Sequence, residues 1–200
     1  MKKRERVRRL VAAFLLCLVA GAAAADETKS RTFAISGQGE LQLNVPVSWT
    51  SETMPATAES PAGIEFGPRA GAPFEMLFTP VGYVTKDAPA PGPAVLKKLA
   101  QDAAALLKER AVERTIDVRE LRGASAAGYY FSATDRAPKP GEVKIATQGF
   151  VMVGDLLVSF TILTNDGQRH VVDSALEMVR GARYVPSSSS SLPTRRCSTI

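Results

Sequence analysis

The residues best suited to acid–base or nucleophilic work gather in one short stretch. His170 is the only histidine among 200 residues. Asp166 and Ser174 stand four residues to either side of it, the spacing that puts side chains on one face of a helix. Serine, histidine and aspartate within reach of one another would supply a hydrolase with its nucleophile, base and orienting acid. Side chains stacked along a single helix seldom aim a nucleophile into a pocket, however. No Gly-x-Ser-x-Gly turn is present to do it for them. The stretch therefore reads as a solvated first turn with Asp166 as its cap. A small hydrolase using Ser174 and His170 is kept as an alternative.

Other chemistries find less material. A transition-metal site of soft ligands needs several His or Cys residues, and this chain offers His170, Cys17 and Cys197. Glu109 and Glu113 are four apart, with Arg110 and Arg114 interleaved, which reads as a salt-bridged surface near a helix end rather than an acid/base pair. Gly37-Gln38-Gly39 is a fragment of a dinucleotide fingerprint with neither the third glycine nor a following helix, so it reads as a turn. In Tyr129-Tyr130-Phe131 an extended backbone sends the first and third rings one way and Tyr130 the other. Two of these rings belong to the core and one to the surface. The expectation is no catalytic, cofactor-binding or metal-ligating residue and no cofactor.

The chain opens with a different kind of signal. Met1 to Arg9 holds six basic residues and one acid. An uncharged apolar run follows from Leu10 to Ala20, then Gly21 and four alanines before Asp26. A basic end, a short apolar run and an Ala-x-Ala exit are the parts of a cleaved secretory signal, with the cut near Ala25. Leu10 to Ala25 is 16 residues, short of the ~20 apolar residues of a spanning helix. No stable membrane span is expected after cleavage. Leu16 before Cys17 is too large for a lipobox, and the residues around Arg8-Arg9 fit a twin-arginine signal poorly. The expected location is periplasmic or secreted.

Charge bounds the partners. Without residues 1–25, the 25 basic and 20 acidic residues fall to 19 of each. A nucleic-acid binder shows a basic excess or stripe, so no nucleic-acid partner is expected. Cys197 is then the single remaining thiol, no internal disulfide can form, and packing alone must hold the fold.

The elements that would position any site follow from periodicity. Asp26 to Ser30 reads as a spacer, and 31–185 as one domain. Arg31–Ile35 is a strand. Leu41, Leu43, Val45 and Val47 alternate with polar residues in a second, and Trp49 plugs the core. Thr50–Pro61 reads as loop. Ile64–Phe66 and Phe74–Val81 are strands, and the proline-rich 87–93 is a linker. From Ala94 to about Val112, Leu96, Leu99, Ala103, Leu106 and Leu107 form the stripe of an amphipathic helix started by Pro93. Strands return at Thr115–Leu121 and Gly128–Thr134. Val143–Val153 and Leu156–Leu163 flank Gly154-Asp155 as a hairpin. Leu157 and Leu163 on the second face of that last run imply cover on both sides. Asn165 to Gly181 frames a second helix with Val171, Val172, Ala175, Met178 and Val179 as its stripe. Residues 186–200, serine-rich and without periodicity, read as a disordered tail. Leu192-Pro-Thr-Arg-Arg196 has no hydrophobic run after it, so wall anchoring is not expected.

Leu41-Gln-Leu-Asn-Val-Pro-Val-Ser-Trp49, the middle helix, Gly128-Tyr-Tyr-Phe131, the 149–163 hairpin and a closing segment Met178–Tyr184 together resemble PsbP-like (Mog-type) domains. The resemblance covers about residues 31–185. It implies an α+β fold, a mostly antiparallel sheet flanked by helices in an α/β/α sandwich. It also implies a binding or accessory role, without a functional motif to transfer by residue. The expected function is an exported, non-enzymatic accessory protein that binds another envelope protein. A small-ligand carrier is the further alternative.

Overall fold

The computed structural model describes residues 26–35, 39–58, 60–84 and 89–187. The expected signal peptide, Cys17, Cys197, most of the Gly37-Gln38-Gly39 turn and nearly all of the expected tail lie outside them. The described residues form ten strands and two helices. In chain order these are β1 (Thr28–Ile35), β2 (Gly39–Pro46), β3 (Trp49–Met54), β4 (Gly63–Pro68), β5 (Glu75–Tyr83), α1 (Pro93–Leu107), β6 (Arg119–Arg122), β7 (Ala126–Thr134), β8 (Ile145–Val153), β9 (Leu156–Thr164), α2 (Arg169–Arg180) and β10 (Arg183–Pro186). The fold is α+β, with antiparallel sheets flanked by helices, as the residue patterns and the resemblance predict.

Seven strands make the large sheet, in the order β3-β4-β5-β9-β8-β7-β6, and β1-β2-β10 make a small one. The β8–β9 ribbon is in register from Ile145↔Thr164 to Val153↔Leu156. Gly154, at φ 57°, supplies the left-handed first position that a two-residue hairpin turn demands. Every second residue of β9 (Leu156, Val158, Phe160, Ile162) is buried. These side chains meet α2 and the small sheet in one cluster, to which β2 adds Leu41, Leu43 and Val45. We call this side of the large sheet its inner face. Phe33 of β1 meets Phe66 of β4 edge-on at 5.9 Å, and Trp49 packs on Phe74 at 4.7 Å. The small sheet is thus fastened to the large one by aromatic contact.

Helix α1 lies on the opposite, outer face, over β7 and β8. Its buried stripe is Leu96, Ala100 and Ala104, packed with Phe131. The expected leucine stripe is therefore rotated. Leu99, Ala103 and Leu107 are half-buried, and Leu106 is 83 % exposed. The helix also stops at Leu107 rather than near Val112. Beyond it Val112 donates to the Thr134 carbonyl, and Ala111 bridges to Asp135. The backbone groups that a longer helix would use are spent on the end of β7.

Other boundaries shift for equally local reasons. β1 begins at Thr28, inside the segment read as a spacer. β3 occupies the stretch read as a loop, because an edge strand of Thr, Ser and Glu carries no apolar alternation. The Thr115–Leu121 strand shrinks to β6, whose Arg-Glu-Leu-Arg sequence suits a short charged sheet edge. Neither Asn165 nor Asp166 caps α2. The N-cap is Gln168, which accepts a hydrogen bond from the Asn165 N–H and donates to the carbonyls of Ala72 and Pro73. The chain leaves α2 at Gly181 and returns as β10 against β2.

Candidate functional site

The structure separates the three residues that a hydrolase would need together. His170 is exposed in the first turn of α2. Asp166 pairs with Lys144 at 2.6 Å, and the Ser174 hydroxyl donates to Asp26 across 3.4 Å. Nucleophile and acid are bonded to other residues and the histidine is bonded to neither, so no proton relay runs through the three. Among the described residues no group of three or more His, Cys, Asp or Glu side chains is placed to hold a metal ion. Gly39 is held by packing: a Cβ there would sit 2.2 Å from the Val185 carbonyl oxygen. Phe131 is buried against α1. Tyr129 packs half-buried on that side, and Tyr130 joins the inner cluster.

Glu109 and Glu113 do not work as a pair. Glu113 reaches β7, where the Thr134 N–H and hydroxyl donate to its carboxylate at 2.9 and 2.7 Å. Partial burial pushes that carboxyl's pKa up, but the two hydrogen bonds outweigh burial and hold it below the ordinary value. Arg110 pairs with Asp135 at 2.6 Å. The Ala137 N–H first, and Arg110 after it, keep the Asp135 carboxyl below its usual range. Arg136 donates to the Ala111 carbonyl at 2.8 Å. Together these bonds strap the segment after α1 onto the sheet's end.

What this strap frames is a groove of about 450 Å³. Its floor is one row of side chains across four strands, Glu75–Leu163–Ala146–Ala133, set by direct register. Leu107 at the end of α1 and Arg110 just beyond it form one wall. Next in sequence to the lining residues Leu107 and Ala111 stand Leu106 and Val112, 83 % and 56 % exposed. The groove opens onto the half of the outer face that α1 leaves aside. There β9 shows Leu157, Ser159, Thr161 and Leu163, and β5 shows Glu75, Leu77 and Thr79, all half-buried. Glu65 of β4 is paired in register with Leu77 on one side and Glu52 of β3 on the other. Two carboxylates thus stand directly opposite each other, an arrangement that costs stability. The acids on these strands' outer face are Glu52, Glu65 and Glu75, and no base shares it.

Sequence reasoning found the leucines of this surface through the two apolar faces of β9. It passed over the glutamates, since a glutamate in a strand with one apolar neighbour on each side looks like ordinary solvent-facing alternation. The cover expected for both sides of the 150–163 ribbon is complete on the inner face. On the outer face α1 packs over Tyr129, Phe131 and Phe150, Ala133 and Ala146 floor the groove, and cover over β9 is partial.

No helix among the described residues is long and apolar enough to cross a membrane. No family model matches the chain, and no curated protein matches it. In structure the chain is similar to the solution structure of cyanobacterial PsbP (CyanoP) from Synechocystis sp. PCC 6803, with a TM-score of 0.47 and 10 % sequence identity, covering 86 % of this chain and 99 % of that one.

Proposed function

We propose that this chain is an exported accessory protein of the cell envelope that binds another envelope protein through the uncovered half of its outer sheet face. One observation carries the reading: part of a single sheet face is covered by α1, while the rest offers leucines, hydroxyls and three glutamates without an ion pair among the described residues, with Leu106 and Val112 exposed. Arg110 and Lys144 at the groove's end are paired with Asp135 and Asp166, so the apolar strand face with its glutamates fits a basic amphipathic segment of a partner, which would lie alongside α1 and meet the glutamates with Lys or Arg. The basic, apolar and Ala-x-Ala parts of residues 1–25 support export as the route to that partner.

The test is site-specific photo-crosslinking from position 161 in intact cells, repeated with Glu65→Lys plus Glu75→Lys. The expected result is one reproducible cross-linked envelope protein, lost on charge reversal. A cross-link indifferent to the reversal, or none at all, ends the proposal. Amino-terminal sequencing of the exported product should begin at Asp26.

A further inference from the structure

The inner face of the large sheet is hydrocarbon along most of its length and turns polar at one end. Three buried polar residues are found among the described ones, Thr147, Thr164 and Gln168, at 0, 1 and 6 % exposure. All three lie where β7, β8 and β9 meet the start of α2. Gln168 is accounted for by its bonds to Asn165, Ala72 and Pro73, and Thr147 by a 2.8 Å bond with Ser132. The Thr164 hydroxyl has no hydrogen-bond partner among the described residues. Thr164 is at the same time one of the residues that line a groove. Buried hydroxyls left with spare capacity are costly in a core and useful in a site.

That groove holds about 340 Å³ between the first turns of α2 and the ends of β6 to β9, the lower end of the range for small-molecule sites, about 300–1,000 Å³. Two acids on its rim are neutralised, Asp166 by Lys144 at 2.6 Å and Asp173 by Arg169 at 3.7 Å. Arg119 also lines it and has no ion pair or hydrogen bond among the described residues. One guanidinium fork is left over, with the geometry to take a carboxylate in two parallel hydrogen bonds. Behind it lie the hydroxyls of Ser132 and Thr164, each able to donate and accept. The Tyr130 ring and Leu176 give the groove an apolar wall.

We infer that this groove binds a small acidic sugar, a hexuronate-sized molecule. Its carboxylate sits on Arg119, its hydroxyls on Ser132 and Thr164, and its C–H face on Tyr130 and Leu176. The site lies on the face opposite the proposed partner surface and does not depend on it. The probe is sodium glucuronate, titrated into the isotopically labelled protein and followed by amide chemical shifts, with glucose and sodium acetate as controls. Saturable shifts are expected at Ser132, Thr147, Thr164 and Asn165. Glucose, without the carboxylate, should bind about tenfold more weakly, the size of one lost charge-assisted contact, and acetate, without the hydroxyls and the ring face, about tenfold more weakly as well. Arg119→Gln, an exposed edge-strand change, should weaken glucuronate about tenfold, and the isosteric Thr164→Val about fivefold, at unfolding midpoints no lower than the parent's. Absence of shifts in the groove overturns the inference. So does an affinity untouched by Arg119→Gln, or acetate binding as well as glucuronate.

Discussion

The two halves of the outer sheet face are built from the same backbone and dressed differently. Under α1, β7 and β8 present Tyr129, Phe131 and Phe150, rings that meet the alanine stripe Ala100–Ala104. Beside it, β9, β5 and β4 present leucines separated by Ser159, Thr161, Thr79 and Glu65. Both halves alternate with inner-face residues that are mostly buried, so alternation cannot tell them apart. The difference lies in what each position can give up to water. Rings and alanines gain from a dry helix contact, whereas hydroxyls and carboxylates tolerate solvent until a partner replaces it.

Removing the central ring of the covered half should have the largest effect. Phe131→Ala is expected to cost about 3–5 kcal/mol by urea denaturation, the usual range for a buried phenylalanine. A loss under about 1 kcal/mol would show that α1 does not seal that half. Next comes the strap between the halves: Glu113→Gln keeps one acceptor and loses the charge, for a loss of about 1–2 kcal/mol. Because the folded carboxyl titrates below its ordinary value, its stabilisation is fully present above the unfolded carboxylate range. It disappears as pH falls through the lower folded value. Glu113→Gln should therefore flatten the acid side of the stability profile, and an unchanged acid midpoint would remove Glu113 from the account. Leu77→Ala, in the uncovered half, should cost about 1 kcal/mol, since it was half-wet already. Equal losses for Leu77 and Phe131 would erase the comparison. Smallest is Glu52→Lys, which turns a like-charged cross-strand pair into an opposite one and should raise stability by about 0.2–1 kcal/mol while weakening partner capture. A gain in capture would contradict the charge argument.

Much of this architecture is legible before any coordinates. The hairpin around Gly154-Asp155 announces itself through β-rich runs and a turn glycine. The α2 stripe from Val171 to Val179 is found where its spacing puts it. What failed did so where tertiary bonds overrode local pattern. Leu106 fits a helical stripe on paper, yet the helix presents Ala100 and Ala104 to Phe131. Residues 108–112 have helix-forming composition, but after one turn Arg110, Ala111 and Val112 bond to the end of β7 and the residues just past it. β3 has no apolar rhythm and was invisible. The candidate sites were the least legible, because Glu65 and Glu75, or Arg119 and Thr164, come together only across strands far apart in sequence. Single-chain spacing carries no trace of them.

β2 lies between a strand from the beginning of the described chain and one from its end. Its buried Leu41, Leu43 and Val45 are laid down early, but the edge beside them stays unpaired until Arg183–Pro186 arrives. A chain emerging amino end first would hold that flank open through nearly the whole of its synthesis or translocation. Closure then becomes a late, all-or-none event. Shortening the protein at Ala182 would strand it in the open state, with β2 free to recruit a foreign strand.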